Sequence, residues 1–151
     1  NKPIEIVSDR LDAYRERDLV EFSGHVVATQ GDRTIQSDSL MLYFKKKAER
    51  QGAAREPAAA AGDIERIVSK GNVRITEKDR VVTGDQAVFY SDEQKIVVTG
   101  NPVMREGSNV VTGERVVVLL DENRGVVEGS KGKRVTATIY PDESRGKKKK
   151  E

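Results

Sequence analysis

GNVRITEKDRVVTGDQAVFYSDEQKIVVTG, residues Gly71–Gly100, runs directly into GNPVMREGSNVVTGERVVVLLDENRGVVEG, residues Gly100–Gly129, and the two stretches share one layout. Each opens on Gly-Asn and reaches an acid fourteen residues later, Asp85 or Glu114. A small residue precedes each acid (Gly84, Gly113), with Thr and then Val before it. A third copy begins at Gly24, where Ile35, Gln36 and Ser37 lead to Asp38. Gly71, Gly100 and Gly129 are 29 residues apart. Gly24 precedes Gly71 by 47, and the surplus of 18 falls in KKKAERQGAAREPAAAAG, Lys45–Gly62. The N-terminus carries a partial copy, with Ser8–Asp9 in the acid's role and Asp9 standing 15 residues before Gly24. A repeat of this length holding two strands and two turns is a stacked-hairpin unit, which buries its apolar face only by stacking on its neighbours.

Outside the repeat glycines, apolar residues alternate with others. Ile4 and Ile6 flank Glu5; Leu40, Leu42 and Phe44 alternate with Met41 and Tyr43; Val135, Ala137 and Ile139 alternate with Thr136 and Thr138. A period of two, rich in Val, Ile and Thr, specifies strands. Gly24, Gly31–Asp32, Gly71–Asn72, Gly84–Asp85, Gly100–Asn101, Gly107–Ser108, Gly113, Gly125 and Gly129 read as the turns between them. The expected fold is therefore all-β: antiparallel strands stacked on a 29-residue repeat, one domain over residues 1–141. Lys45–Gly62 breaks the rhythm and reads as a long, mobile hairpin loop. Residues 142–151 lack apolar side chains and read as a disordered charged tail.

The parity of each strand gives an inward face. In the first copy it comprises Val26, Ala28, Ile35, Leu40 and Leu42. In the second it comprises Val73, Ile75, Val82, Ala87 and Phe89, and in the third Pro102, Met104, Val111, Val116 and Val118. Such a lining can pack solid, or it can leave a slot for a flexible acyl chain; the residues allow both.

The chain has 151 residues, 36% hydrophobic and 34% charged, which suits one globular domain. The longest aliphatic run, Val116–Leu120, is far too short to cross a bilayer. Nothing at Asn1 reads as a signal peptide, which leaves targeting open. There is no cysteine, so thiol catalysis, disulfides and zinc–thiolate sites are excluded. The net charge is +2, from 27 basic and 25 acidic residues, and implies no field for nucleic acid.

Chemistry is thinly supported. His25 is the single histidine and stands where the other copies have Asn72 and Asn101, so it reads as a turn residue and not as a base. Asp9, Asp38, Asp85 and Glu114 recur once per repeat, whereas a catalytic pair or a metal site needs convergent acids; they read as anchors of backbone N–H groups in turns. No phosphate-binding glycine motif is present. Neither catalytic residues nor a cofactor is assigned. Lys131, Lys133 and Arg134 lack the aromatic company of a nucleic-acid site. Lys147–Lys150 read as a solvated end; basic residues near an open mouth have the further option of attracting phosphates of an anionic lipid.

Four segments carry a resemblance. PIEIVSD at Pro3–Asp9, VEFSGHVVATQG at Val20–Gly31, VVTG before Asn101 and KGKRVTATIYP at Lys131–Pro141 occur in the order found in the LptA (OstA-like) family, and the chain resembles that family from Pro3 to Pro141. The resemblance implies an open antiparallel β-jellyroll, or β-taco, in the periplasm. It implies binding of the acyl chains of lipid A of lipopolysaccharide inside the roll. It also implies head-to-tail self-assembly, and contacts with an LptC-like inner-membrane protein and an LptD-like outer-membrane protein. With no membrane-spanning segment, the chain is more similar to the bridge component than to the anchored one. Ile4 and Ile6 match a family segment that faces the lipid channel. The Lys45–Gly62 insertion departs from the pattern.

Three functional readings stand at this stage. A lipid carrier would line a trough with Ile4, Ile6, Val26, Ala28, Ile35, Leu40, Leu42, Val73, Ile75, Val82, Phe89, Met104, Val111, Val116 and Val118. A solid-cored adaptor would pair strands with partners and bind no lipid. A polysaccharide-active enzyme would need a local pair of acids in a cleft, which the sequence does not offer.

Overall fold

The computed structural model describes residues 2–45 and 64–141. The Ala-rich insertion beyond Lys45 and the charged tail lie outside the described residues. One turn of 3-10 helix, Arg15–Arg17, accompanies a twelve-stranded antiparallel sheet. Its strands are β1 (Glu5–Val7), β2 (Arg10–Tyr14), β3 (Leu19–Gln30), β4 (Arg33–Phe44), β5 (Ile64–Glu77), β6 (Arg80–Tyr90), β7 (Lys95–Thr99), β8 (Val103–Glu106), β9 (Asn109–Thr112), β10 (Arg115–Leu119), β11 (Arg124–Glu128) and β12 (Thr136–Thr138).

The sheet divides along a corner. β3 pairs with β2 through Leu19–Ser23 and with β1 through Val27–Thr29; β6 pairs with β7 through Gln86–Tyr90 and with β8 through Arg80–Thr83. One half thus runs β2, β3, β4, β5, β6, β7, β10, β11, and the other β1, β3, β4, β5, β6, β8, β9, β12. The sheet does not close on itself, so the architecture is the expected open antiparallel jellyroll.

The corner is made by the repeat glycines, and here the turn assignment needs correction. Gly24, Gly71 and Gly84 do not end strands; they lie inside β3, β5 and β6. Between Ser23↔Ser39 and Val26↔Ser37, the pair Gly24–His25 faces the single residue Asp38. Between Lys70↔Gln86 and Val73↔Gly84, Gly71–Asn72 faces Asp85 in the same way. Two residues against one is a β-bulge, which bends a strand without reversing it. Both bulge residues take left-handed backbone: φ is 86° at Gly24 and 48° at His25, 87° at Gly71 and 47° at Asn72. Glycine adopts this freely, and Asn or His is among the residues that tolerate it. The chain does reverse at Gly31–Asp32 and Gly107–Ser108 as expected, but also at Lys78–Asp79, Ser91–Gln94 and Leu120–Asn123, and Gly125 lies within β11. In those three glycine-free turns Lys78, Gln94 and Asn123 supply the positive φ.

Because each bulge sets two residues against one, the inward parity carries through the corner on the bulged strands and shifts by one on the strands they face, from Ser37 to Leu40 on β4 and from Val82 to Ala87 on β6. Val20, Phe22, Val26 and Ala28 are all buried along β3, as are Ile67, Ser69, Val73 and Ile75 along β5. The two halves of the sheet face each other across these side chains. The interior forms two clusters. The first gathers Val20, Phe22, Val26, Ala28, Leu40, Leu42, Phe44, Ile64 and Ile67; the second gathers Val73, Ile75, Val82, Ala87, Ile96, Val98 and Val116. Ile35 and Phe89 pack against both. Burying one such side chain contributes roughly 1.5–3 kcal/mol, which holds the halves together without a disulfide.

Candidate functional site

An apolar cleft opens where the two clusters meet. Ile4, Ile6, Ala28, Ile35, Leu40, Ile67, Ala87, Phe89 and Ile96 form its walls, with Ser69 among them and Thr29, Gln30 and Arg33 toward the mouth. The cleft is narrow, with a cavity volume of about 40 Å³, and is partly open to solvent. β1 forms one wall because Ile6 sits opposite Ala28 in the β1–β3 register. The Gln30 side-chain amide donates a 2.9 Å hydrogen bond to the Lys2 carbonyl, which ties the start of the chain to the β3–β4 turn.

The expected inward residues distribute unevenly around this cleft. Ile4, Ile6, Ala28, Ile35, Leu40 and Phe89 border it. Val26 and Leu42 sit in the first cluster; Val73, Ile75, Val82 and Val116 sit in the second, where Met104 and Val118 pack against them. Val111, on β9, is half-buried and belongs to neither cluster. The sequence reading missed Ile67, Ser69, Ile96 and Arg33. The first three stand two or four residues before a repeat glycine, where Val20, Phe22 and Val98 are also buried, so the signal was the same even spacing continued backward across the glycine.

The repeating acids line the outside of the corner. A Cβ built on Gly24 would strike Asp9, one on Gly71 would strike Asp38, and one on Gly100 would strike Asp85, so each carboxylate lies directly over the next repeat glycine. His25 Nδ1 meets Asp9 Oδ2 at 2.8 Å, Asn72 Nδ2 donates to Asp38 Oδ2 at 3.0 Å, and Ser130 Oγ donates to Glu114 Oε1 at 3.3 Å. Lys133 Nζ joins the same ridge, donating to Asn101 Oδ1 at 2.7 Å. The small residue before each acid has its own cause: a Cβ on Gly84 would lie 2.6 Å from Val98 Cγ1, and one on Gly113 would lie 2.7 Å from Val127 Cγ1. The acids are thus spaced along a ridge as anchors. Among the described residues no three His, Cys, Asp or Glu side chains come together to hold a metal ion.

The two ends of the sheet carry the exposed apolar side chains. Val7, Leu11 and Tyr14 lie on β1 and β2; Val135, Ile139 and Tyr140 lie on or beside β12. β1 and β2 pair only with β3, β11 only with β10 and β12 only with β9 among the described residues, so both ends present free strand edges. No helix of the described residues is long and apolar enough to cross a membrane.

Comparison with known proteins places this geometry. Comparison of the sequence with curated proteins finds no match. The fold is similar to that of LptH from Pseudomonas aeruginosa, described as the LptA-homologous periplasmic component of the conserved lipopolysaccharide transport device. The TM-score is 0.74 at 16% identity, over 93% of this chain and 96% of that one. Residues 5–124 match the family model described as LptA/(LptD N-terminal domain) LPS transport protein. That match spans most of the chain, and the chain belongs to the LptA/LptD N-terminal domain family of lipopolysaccharide transport proteins.

Proposed function

We propose that this chain is a periplasmic carrier and not an enzyme: it holds acyl chains of lipopolysaccharide in the cleft between the sheet halves and joins inner to outer membrane by head-to-tail assembly. The observation that carries this reading is the cleft itself, lined mainly by apolar side chains and partly open to solvent. Each methylene taken out of water is worth about 0.8 kcal/mol, so even partial cover of several acyl chains drives binding strongly. The open side leaves room for sugars in water. The cleft at rest is narrow, so loading means parting the facing side chains around Ile35 and Phe89, where the interior is already split into two clusters.

The free edges support the assembly half of the proposal. Strand addition between the β11–β12 end of one copy and the β1–β2 end of the next would satisfy main-chain groups and cover the exposed Val7, Leu11, Val135 and Ile139. A contact of unlike ends repeats without closing and builds a filament. An LptC-like protein and an LptD-like domain would cap it by the same pairing.

The test is photo-crosslinking to lipopolysaccharide, with a photoreactive residue placed in turn at Ile6, Ile67 and Phe89, and at the exposed Arg74 as a control. Adducts at the three cleft positions and none at Arg74 are expected. A second reading, a solid-cored adaptor that only pairs strands, is favoured by the tight closure of the cleft; no adduct at any position in folded protein would establish it over the carrier.

A further inference from the structure

Among the described residues, Arg33 is the one charged side chain that borders the apolar cleft. Its side chain is only 21% exposed, and its nearest approach to its ion-pair partner is 3.5 Å, from Nε to Glu77 Oε1. Among the described residues the guanidinium donates no hydrogen bond, although it carries five N–H donors in a rigid fork. A largely buried cation is ordinarily paired and fully hydrogen-bonded, so this one is held short of its partners. Lys2 reaches the same hairpin: its Cδ lies 3.3 Å from where a Cβ of Gly31 would sit, its carbonyl accepts from Gln30, and it makes no ion pair among the described residues. Two cations therefore flank one hairpin turn at the mouth, next to the Ile4 and Ile6 wall.

We propose that Arg33 and Lys2 form a phosphate subsite at the mouth of the cleft, which takes a phosphate group on the head of the amphiphile whose acyl chain enters beside Ile6. The proposal rests on the carrier reading. Arg33 would exchange its loose contact with Glu77 for a forked pair of charge-assisted hydrogen bonds to phosphate oxygens, and Lys2 would add a point charge from the turn. The subsite sets which amphiphiles are taken and how the lipid is oriented: head at the lip, chains inward.

The test measures binding of the full chain to phosphorylated lipid A and to the same lipid stripped of its phosphates, with inorganic phosphate as competitor. Arg33→Gln is expected to weaken binding of the phosphorylated lipid by roughly ten- to a hundredfold, to leave the dephosphorylated lipid unmoved, and to be partly rescued by Arg33→Lys. Glu77→Gln, which removes only the competing carboxylate, is expected to tighten the phosphorylated lipid and leave the other alone. Arg80→Gln, on the same lip but away from the cleft, is expected to change neither. If Arg33→Gln weakens both lipids equally, or neither, the subsite is overturned while the carrier reading stands. If the unaltered chain binds neither lipid, the carrier reading falls and the subsite with it. If inorganic phosphate at millimolar concentration displaces the phosphorylated lipid, the site is a general anion site and its assignment to the lipid head is overturned.

Discussion

His25 Nδ1 lies 2.8 Å from the Asp9 carboxylate, fastening the first corner bulge to the link between β1 and β2. The hydrogen bond to Asp9, then the Asp9 charge, then the more distant Asp38 charge raise the His25 pKa above its ordinary 6.5; partial desolvation opposes them. A group whose folded pKa is raised binds its proton more tightly in the folded state. Its contribution is therefore complete below pH 6.5 and is lost as pH rises through the raised value. Since β1 forms one wall of the cleft, the pairing of β1 with β3 should loosen over that window. NMR titration of the imidazole is expected to give a pKa above 6.5 in the intact chain and a lower one in Asp9→Asn. His25→Asn, which restores the residue of the other copies, should fold normally and lose this pH dependence. An unshifted imidazole would remove the Asp9 latch from the account.

The corner predicts two different costs for the same change. At Gly71 an added Cβ would lie 2.5 Å from Asp38 Oδ2, on backbone with φ at 87°. At Gly107 φ is 63° and an added Cβ would meet nothing within 4 Å. Gly107→Ala should therefore lose only the conformational term, about 1 kcal/mol. Gly71→Ala should lose that term and also displace Asp38 from Asn72, for about 3 kcal/mol or more. Urea denaturation of the two variants checks the ranking, and equal midpoints would refute the stacking of Asp38 on the bulge.

Ser69 is 2% exposed, borders the cleft, and its hydroxyl has no hydrogen-bond partner among the described residues. It stands two residues before Gly71, where the other copies carry the apolar Phe22, Val98 and Val127. An unmet buried hydroxyl costs stability, so Ser69→Ala should raise the unfolding free energy by about 1 kcal/mol. Ser69→Val should narrow the cleft and weaken lipid binding without unfolding the chain. Denaturant midpoints and lipid binding of the two variants separate the effects; a destabilised Ser69→Ala would mean that the hydroxyl is engaged after all.

Assembly through the β12 edge makes Ile139 a sensitive position. It is 68% exposed and contributes nothing to either interior cluster. Ile139→Glu should leave the circular dichroism spectrum and midpoint unchanged but shift light-scattering mass toward the monomer across a concentration series. A mass distribution that does not move would place the contact elsewhere.

What the sequence by itself determined was local in origin. Side chains alternate across a strand whatever the strand packs on, so the spacing of Val26 with Ala28 or Val73 with Ile75 marked strands and their buried face directly. The 29-residue spacing of Gly71, Gly100 and Gly129 marked the repeat: Gly71 and Gly100 take left-handed backbone beneath Asp38 and Asp85, whereas Gly129 is held against the Lys133–Val135 backbone instead of an acid. The tertiary structure decided what depends on the neighbouring strand. A Gly-Asn pair reads alike whether it reverses a chain or bends it, and only the pairing of Gly71–Asn72 against Asp85 makes it a corner. Lys78, Gln94 and Asn123 turn the chain without a glycine because the flanking registers require it there. Inward parity put Val116 and Phe89 in one class. Only the meeting of two separately packed clusters puts Phe89 at a cleft and Val116 in a solid interior, because a gap is a property of facing surfaces and of no single strand.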